Sequence, residues 1–502
     1  MIHLIRKSAA CLCSLFAFSL ALGQPGFNQT YELGTTTLLA DVVISNDTVA
    51  VFGEVSVDSL GVFGLVLMLL DTNGVELVKT VTVDTSSTPV NYITNLRESR
   101  LIGCSDGGFI GFGLAFGASQ IVIAKYDRAG AERWVRRHAH PGIHIQPFDI
   151  VEAQTGFFIT GLLQLDNFKF DVFLCKVDKA TGDLEWFRQY GHPFEDEYGL
   201  CLVNDEESVV VGATKQRNLG RTTWLIGLNG DGDMQWQWES GPDTEGYIID
   251  LLKVNGMWAY VLDILTPDGY NGWYRHGELI VRDSAQDLLW RKEYGMATHL
   301  FNGLSEIATD SSSCLIVAGQ FLETDLGKNG TRRGWVSKVD LNGTVNWTVR
   351  DTAFMNPNGG SVSYLSGVAT DPNGNVYAVG DGRDFREDPP KYHGWLLKIS
   401  PDGCVDTICY TTSIDGGHKI IQPIKIYPNP FTSTVTLDLS NMDKTSVFEV
   451  SSVTGIPLYR KDLTISGELL HLDLSHLPPG VLIYTLSDES GNVKSGKLVK
   501  VD

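Results

Sequence analysis

Two groups of residues carry the side chains best suited to grip a ligand. They are Tyr270, Trp273, Tyr274 and Arg275 in one stretch, and Asp384, Arg386 and Tyr392 in another. Flat rings beside carboxylate and guanidinium groups suit a sugar or an extended peptide. As plain solvated loops, the same segments would only pack their own aromatics. His138, His140 and His144 have the residue type for a metal site, but Arg136 and Arg137 stand beside them and oppose a cation, so no metal is assigned. Asn229-Gly-Asp-Gly-Asp233 is spaced like a calcium loop but lacks the closing bidentate glutamate, and an ordinary turn accounts for it. The chain holds no Gly-x-Ser-x-Gly elbow, no His-Glu-x-x-His, no phosphate loop and no Cys-x-x-Cys. A protein that is not an enzyme, with no catalytic residues and no cofactor, is the expectation.

The elements that must position these residues repeat. Gly367-Val-Ala-Thr-Asp-Pro-Asn-Gly-Asn-Val-Tyr-Ala-Val-Gly380, a variable loop, and Gly394-Trp-Leu-Leu-Lys-Ile-Ser-Pro-Asp-Gly403 form the clearest copy. An anchor recurs at Asp71, Asp127, Asp178, Asn229, Asp283, Asp340 and Ser400, a spacing of roughly 55 residues that suits a four-stranded propeller blade with long loops. Trp134, Trp186, Trp236, Trp290 and Trp347 follow most anchors, with Val78 and Thr407 in the first and last copies. One tryptophan per copy at a fixed place reads as packing between blades. Each copy reads as strands a to d, with short a–b and c–d turns and long b–c and d–a connections on one face. The two candidate groups fall in the long connections Asp263 to His276 and Asp381 to His393. The pattern resembles quinoprotein-like bacterial β-propeller repeats, which implies an all-β, roughly seven-bladed disc; such scaffolds host enzymes, lectins and docking platforms alike.

Composition agrees with a turn-rich β protein: of 502 residues, 43% are hydrophobic, 10% aromatic and 53 are glycine. The formal charge of -21 would repel phosphate backbones and anionic lipid, so no nucleic-acid partner is expected. Residues 1–23 read as a signal peptide, with Arg6 and Lys7 before an apolar stretch and a small-residue cleavage site between Gly23 and Gln24. That stretch is short for a transmembrane anchor, so no integral membrane segment is expected once it is removed. Cys104, Cys175, Cys201 and Cys314 sit in apolar strands and read as free. Cys404 and Cys409 flank a polar tetrapeptide, and an oxidising compartment favours a local disulfide between them. Zinc would need two more ligands, and only His418 is near.

Residues 24–412 are therefore assigned to the propeller, 413–423 to a linker and 424–502 to a last domain. That domain holds, in order, Tyr427-Pro428-Asn429-Pro430, Val453-Thr-Gly455-Ile-Pro-Leu-Tyr459, Leu474-Ser-His-Leu477-Pro-Pro479-Gly480 and Gly496-Lys497-Leu-Val-Lys500. Together these motifs resemble the type A C-terminal sorting domain of type IX secretion substrates. The resemblance implies a small immunoglobulin-like β-sandwich, recognition by the outer-membrane translocon after folding in the periplasm, and a secreted or surface-attached product. The position two after Gly480, often tyrosine in the family, is Leu482, and Tyr484 offers the ring instead. A generic glycan-binding sandwich is the bland reading of the same residues.

The expected function is thus a secreted or cell-surface, non-catalytic propeller that binds a polysaccharide or a surface protein. A propeller enzyme, glycan-cleaving or quinone-dependent, and a structural surface component are the rivals. Carboxylates clustered in the central channel with strongly perturbed pKa values would favour the enzyme, and an aromatic shelf on the rim would favour binding.

Overall fold

The repeated anchor is a turn device. In the computed structural model, Asp71 Oδ1 accepts the backbone N–H groups of Asn73 and Val75 at 2.8 and 2.9 Å. Asn229 does the same for Asp231 and Asp233 at 3.0 and 2.8 Å. The side chain satisfies donors that the turn leaves without ladder partners. A glycine in the left-handed region, such as Gly232 at φ 81°, closes the turn where a Cβ would be strained. The segment Asn229–Asp233 is this turn in its fourth copy.

The structure describes residues 26–56, 63–83, 99–115, 120–140, 144–165, 169–205, 208–217, 220–241, 246–267, 273–294, 302–323, 331–354, 362–387, 389–405, 408–409, 425–438, 446–452, 457–463, 469–488 and 493–501. They divide into two compact units, Met1–Thr412 and Ser413–Asp502.

In the first unit, five separate four-stranded sheets and one eight-stranded sheet make seven blades, blades 6 and 7 being joined by a single parallel pairing of Arg332 with Val362. The inner strands of blades 1 to 7 are Thr37–Ser45, Arg100–Gly103, His144–Ala153, Asp196–Asp205, Tyr247–Val254, Asn302–Thr309 and Val362–Thr370. The antiparallel meander follows from alternating β-branched and aromatic residues interrupted by tight turns. The cores lie between blades. Phe158, Val172 and Leu174 of blade 3 meet Val209, Val211 and Trp224 of blade 4. Each such side chain contributes roughly 1.5–3 kcal/mol by leaving water.

The recurrent tryptophans seal these interfaces from outside. Four of the five lie on the turn glycine of the following blade: a Cβ on Gly182 would come 2.4 Å from Trp134, and one on Gly403 2.7 Å from Trp347, whereas Trp236 packs on Gly227 of its own blade. Trp290 and Trp347 also donate Nε1–H to the carbonyls of Leu341 and Pro401 at 2.7 and 2.9 Å. Blade 1 lacks the ring, and Val78 packs on Gly130 instead.

Closure is where the structure departs from the repeat. The seventh copy was expected to end in its own fourth strand near Thr407, yet Cys404–Val405 and Ile408–Cys409 form a separate small ladder. The outer strand of blade 7 is Phe27–Tyr31, which pairs antiparallel with Lys391–Ile399 from Phe27↔Lys398 to Tyr31↔Gly394. Trp395 Nε1 donates to Asn28 Oδ1 at 2.8 Å, fixing that register. Pairing the two ends of the ring in one sheet removes an edge that would otherwise invite aggregation. Cys404 is disulfide-bonded, and Cys409 is its partner in the ladder. Cys104, Cys175, Cys201 and Cys314 are free.

The second unit packs a three-stranded sheet and a four-stranded sheet around Phe431, Leu437, Phe448, Val450, Leu472 and Leu498. Leu482 is in this core and Tyr484 stacks on Phe448, with ring centroids 6.0 Å apart.

Candidate functional site

Six of the seven inner strands carry a register shift, and the residue after it defines one level of the axis. The shifts fall at Leu39/Asp41, Pro147/Asp149, Gly199/Cys201, Ile248/Asp250, Leu304/Glu306 and Leu365/Gly367. A bulge re-aims the side chains beyond it. Asp41, Asp149, Asp250 and Glu306 thereby come from four different blades to surround Arg100 of blade 2. Blade 7 has Gly367 here because a Cβ would lie 2.8 Å from the Asp41 Cα.

Each carboxylate ties its blade to the next. Asp41 Oδ1 accepts from Val42 N and Oδ2 from Leu101 N, both at 2.7 Å. Asp149 takes Ile150 N at 2.7 Å and Leu202 N at 2.6 Å. Asp250 takes Leu251 N and Ile307 N at 2.8 and 2.9 Å. Glu306 Oε2 takes Val368 N at 2.6 Å, and its Oε1 lies 3.3 Å from Arg100 Nη1 in an ion pair. The Arg100 and Glu306 side chains keep only 11% and 15% of their surface.

Four acids around one cation cannot all ionise in a buried site. Burial pushes the Asp149 carboxyl up to about 7, Arg100 working against the shift and Asp250 with it. Burial likewise raises Asp41 and Asp250, and it holds Glu306 well above the usual carboxylate range with help from Asp41. Burial opposes the Arg100 charge, but Glu306, Asp41, Asp250 and Asp149 outweigh it and keep the guanidinium protonated.

Near the long-connection ends of blades 3 to 5 lies an aromatic cluster. Phe170 stacks on Tyr198 at 5.5 Å, Tyr198 meets Tyr247 edge-on at 5.6 Å, and the Arg221 guanidinium lies 4.3 Å over the Tyr247 ring. These rings are partly exposed.

The residues singled out by sequence lie elsewhere. Tyr270 is outside the described residues. The expected long loop is mostly strand: Met257–Pro267 and Trp273–Arg282 extend the hairpin, with Trp273 opposite Pro267 and Tyr274 opposite Thr266. Arg275 pairs with Asp263. In blade 7 the strands likewise run to Asp384 and from Lys391. Asp384 is held by Arg386 at 2.6 and 2.8 Å, and the Arg383 guanidinium lies 5.6 Å over Tyr392. The two groups occupy blades 5 and 7, and no contact joins them among the described side chains. His138 is spent on the Gly182 carbonyl at 3.0 Å, and His140 lies against Phe187. The axial acids were missed because the sequence reading looked to loops. Their signal was there, an acidic residue recurring inside an apolar inner strand: Ala-Asp-Val-Val, Phe-Asp-Ile-Val, Ile-Asp-Leu-Leu and Ser-Glu-Ile-Ala.

In the second unit, Asn429 Nδ2 donates to the Lys497 carbonyl at 2.9 Å and its Oδ1 accepts from Val499 N at 2.8 Å. The Pro428-Asn429-Pro430 corner is thereby sewn to the last strand. Leu477 is buried, and Gly480 takes φ 129° with open space around it. Gly455 is outside the described residues.

Residues 425–501 match the family described as "Secretion system C-terminal sorting domain". The chain carries a type IX secretion sorting domain and is exported to the cell surface or secreted. No curated protein matches the sequence. Among solved structures, the chain is similar to an exo-β-1,3-galactanase from Clostridium thermocellum at 11% identity and TM-score 0.31, over 74% of this chain and 95% of that one. It is similar to the phage phi92 endosialidase at 10% identity and TM-score 0.39, over 96% and 82%. It is also similar to the polysaccharide lyase Uly1 at 9% identity and TM-score 0.44, over 75% and 100%. At these values the likeness is one of architecture. The expectation that the chain is not an enzyme is nevertheless corrected: these three similar structures are, by their descriptions, a galactanase, an endosialidase and a polysaccharide lyase. No helix among the described residues is long and apolar enough to cross a membrane.

Proposed function

We propose that the exported propeller is a glycan-cleaving enzyme whose reaction centre is the axial cluster around Arg100. The observation that carries this reading is the convergence of four carboxylates with raised pKa values on one guanidinium. Glycoside cleavage needs one carboxyl group that is still protonated near neutrality and one that is ionised. Glu306, partly exposed and held well above its usual range, is the proton donor to the leaving oxygen. Asp149, poised at about 7, is the base or ion-stabilising partner. Phe170, Tyr198 and Tyr247 supply a stacking platform for sugar rings on the long-connection side.

The test is release of reducing ends or unsaturated products from a panel of polysaccharides by the purified chain. Glu306→Gln should lower kcat by about 100-fold or more, the usual worth of a general acid. Tyr198→Ala should raise KM with little change in kcat. Wild-type protein releasing nothing from the panel, or Glu306→Gln at full rate, would sink the proposal.

A further inference from the structure

Between blades 3 and 4, the connection leading into the inner strand Asp196–Asp205 brings together His192, Glu195 and Glu197. One donor atom from each lies within 4.8 Å of the others. His192 Nδ1 is 2.9 Å from Glu197 Oε1 and 3.9 Å from Glu195 Oε2. A turn bond from Glu195 N to the His192 carbonyl at 3.3 Å holds the segment folded back on itself. The Glu197 side chain has no exposed surface, yet its Oε2 meets no donor. A buried carboxylate oxygen without a partner is costly, and a cation is the ligand that relieves it.

The surroundings add negative charge. Asp171 is buried directly beneath, and Gly191 has no side chain because a Cβ there would come 2.4 Å from the Asp171 carboxyl group. Gln189 holds Asp171 Oδ2 at 2.5 Å, leaving Asp171 outside the donor triangle but close enough to deepen its potential. Arg217 is the competing cation. It donates to Glu195 Oε1 at 2.6 Å, more weakly to Glu195 Oε2 at 3.5 Å, and reaches Glu239 Oε1 at 2.8 Å, so a bound cation would have to displace its contact with Glu195 Oε2, which lies 3.9 Å from His192 Nδ1.

We infer that His192, Glu195 and Glu197 form a site for a zinc-class divalent cation on the propeller. One imidazole with two carboxylates suits Zn²⁺ better than Ca²⁺, which takes oxygen ligands, and three protein ligands leave a position for water or a ligand oxygen. The inference stands on its own geometry and does not need the axial cluster to be catalytic.

The experiment is calorimetric titration of the untagged, metal-stripped full chain with Zn²⁺, and separately with Ca²⁺. One Zn²⁺ per chain is expected, weakened at least about 100-fold by His192→Gln and by Glu197→Gln, with His138→Gln as a control that leaves it unchanged. His192 is half exposed, so its variant decides the matter should the Glu197 variant fold poorly. No Zn²⁺ binding by the wild-type chain, binding that survives both variants, or a site that prefers Ca²⁺ would overturn the inference.

Discussion

Asp149 shows how one residue serves both architecture and chemistry. Its two oxygens accept N–H groups from its own strand and from blade 4, so it is a clasp as well as a proton site. Folding raises its pKa from 3.8 to about 7, so at intermediate pH the folded chain holds a proton that the unfolded chain has released. Its contribution to stability is therefore fully present below about pH 4 and is lost as pH rises through about 7, a change of roughly 4 kcal/mol. Asp149→Asn removes this titration and sets an amide donor against a backbone donor, at a cost of about 1–3 kcal/mol. In paired thermal melts the variant should be clearly less stable than wild type at pH 4, with the gap narrowing or reversing by pH 8. Parallel curves across that range would mean that Asp149 does not hold the proton. Nothing in its neighbourhood in sequence announces this behaviour. An aspartate between Phe148 and Ile150 reads as an outward-facing strand residue until Arg100, 49 positions away, is known to share its axis.

At the scale of elements, the closing strand Phe27–Tyr31 does for blade 7 what local hairpins do for the other six. Deleting residues 26–31 removes its ladder with Lys391–Ile399 and the Asn28–Trp395 bond. Hydrogen exchange should then show backbone amides of 394–398 losing protection while blade 3 keeps its own, and the melting midpoint should drop by several degrees. Uniform protection in the deleted chain would show that closure resides in the core between blades 7 and 1 instead. The blade repeat, its anchors and its tryptophans were legible in the sequence because turns and cross-strand packing are local, recurring every 50 to 60 residues. The closing strand was not, because a single strand without a repeat of its own has no periodic signal. The expected long loops shrank for a related reason: the polar, aromatic residues of 263–276 satisfy a strand pattern only once their register partner is known.

For the whole molecule, the sorting domain decides destination. A chain lacking residues 425–501 should accumulate in the periplasm on cell fractionation, whereas the full chain reaches the outer surface or medium; equal export of both would show that another segment directs it. The sequence by itself determined the destination and the blade architecture. Sorting motifs are short, contiguous and ordered, and blade turns depend on an Asx or Ser side chain and a left-handed glycine a few residues apart. Only the tertiary structure decided where chemistry can reside. The axial acids are spread from Asp41 to Glu306 and the cation-ready triangle owes its force to a buried orphan oxygen on Glu197, and both depend on burial and distance between blades, which no local pattern encodes.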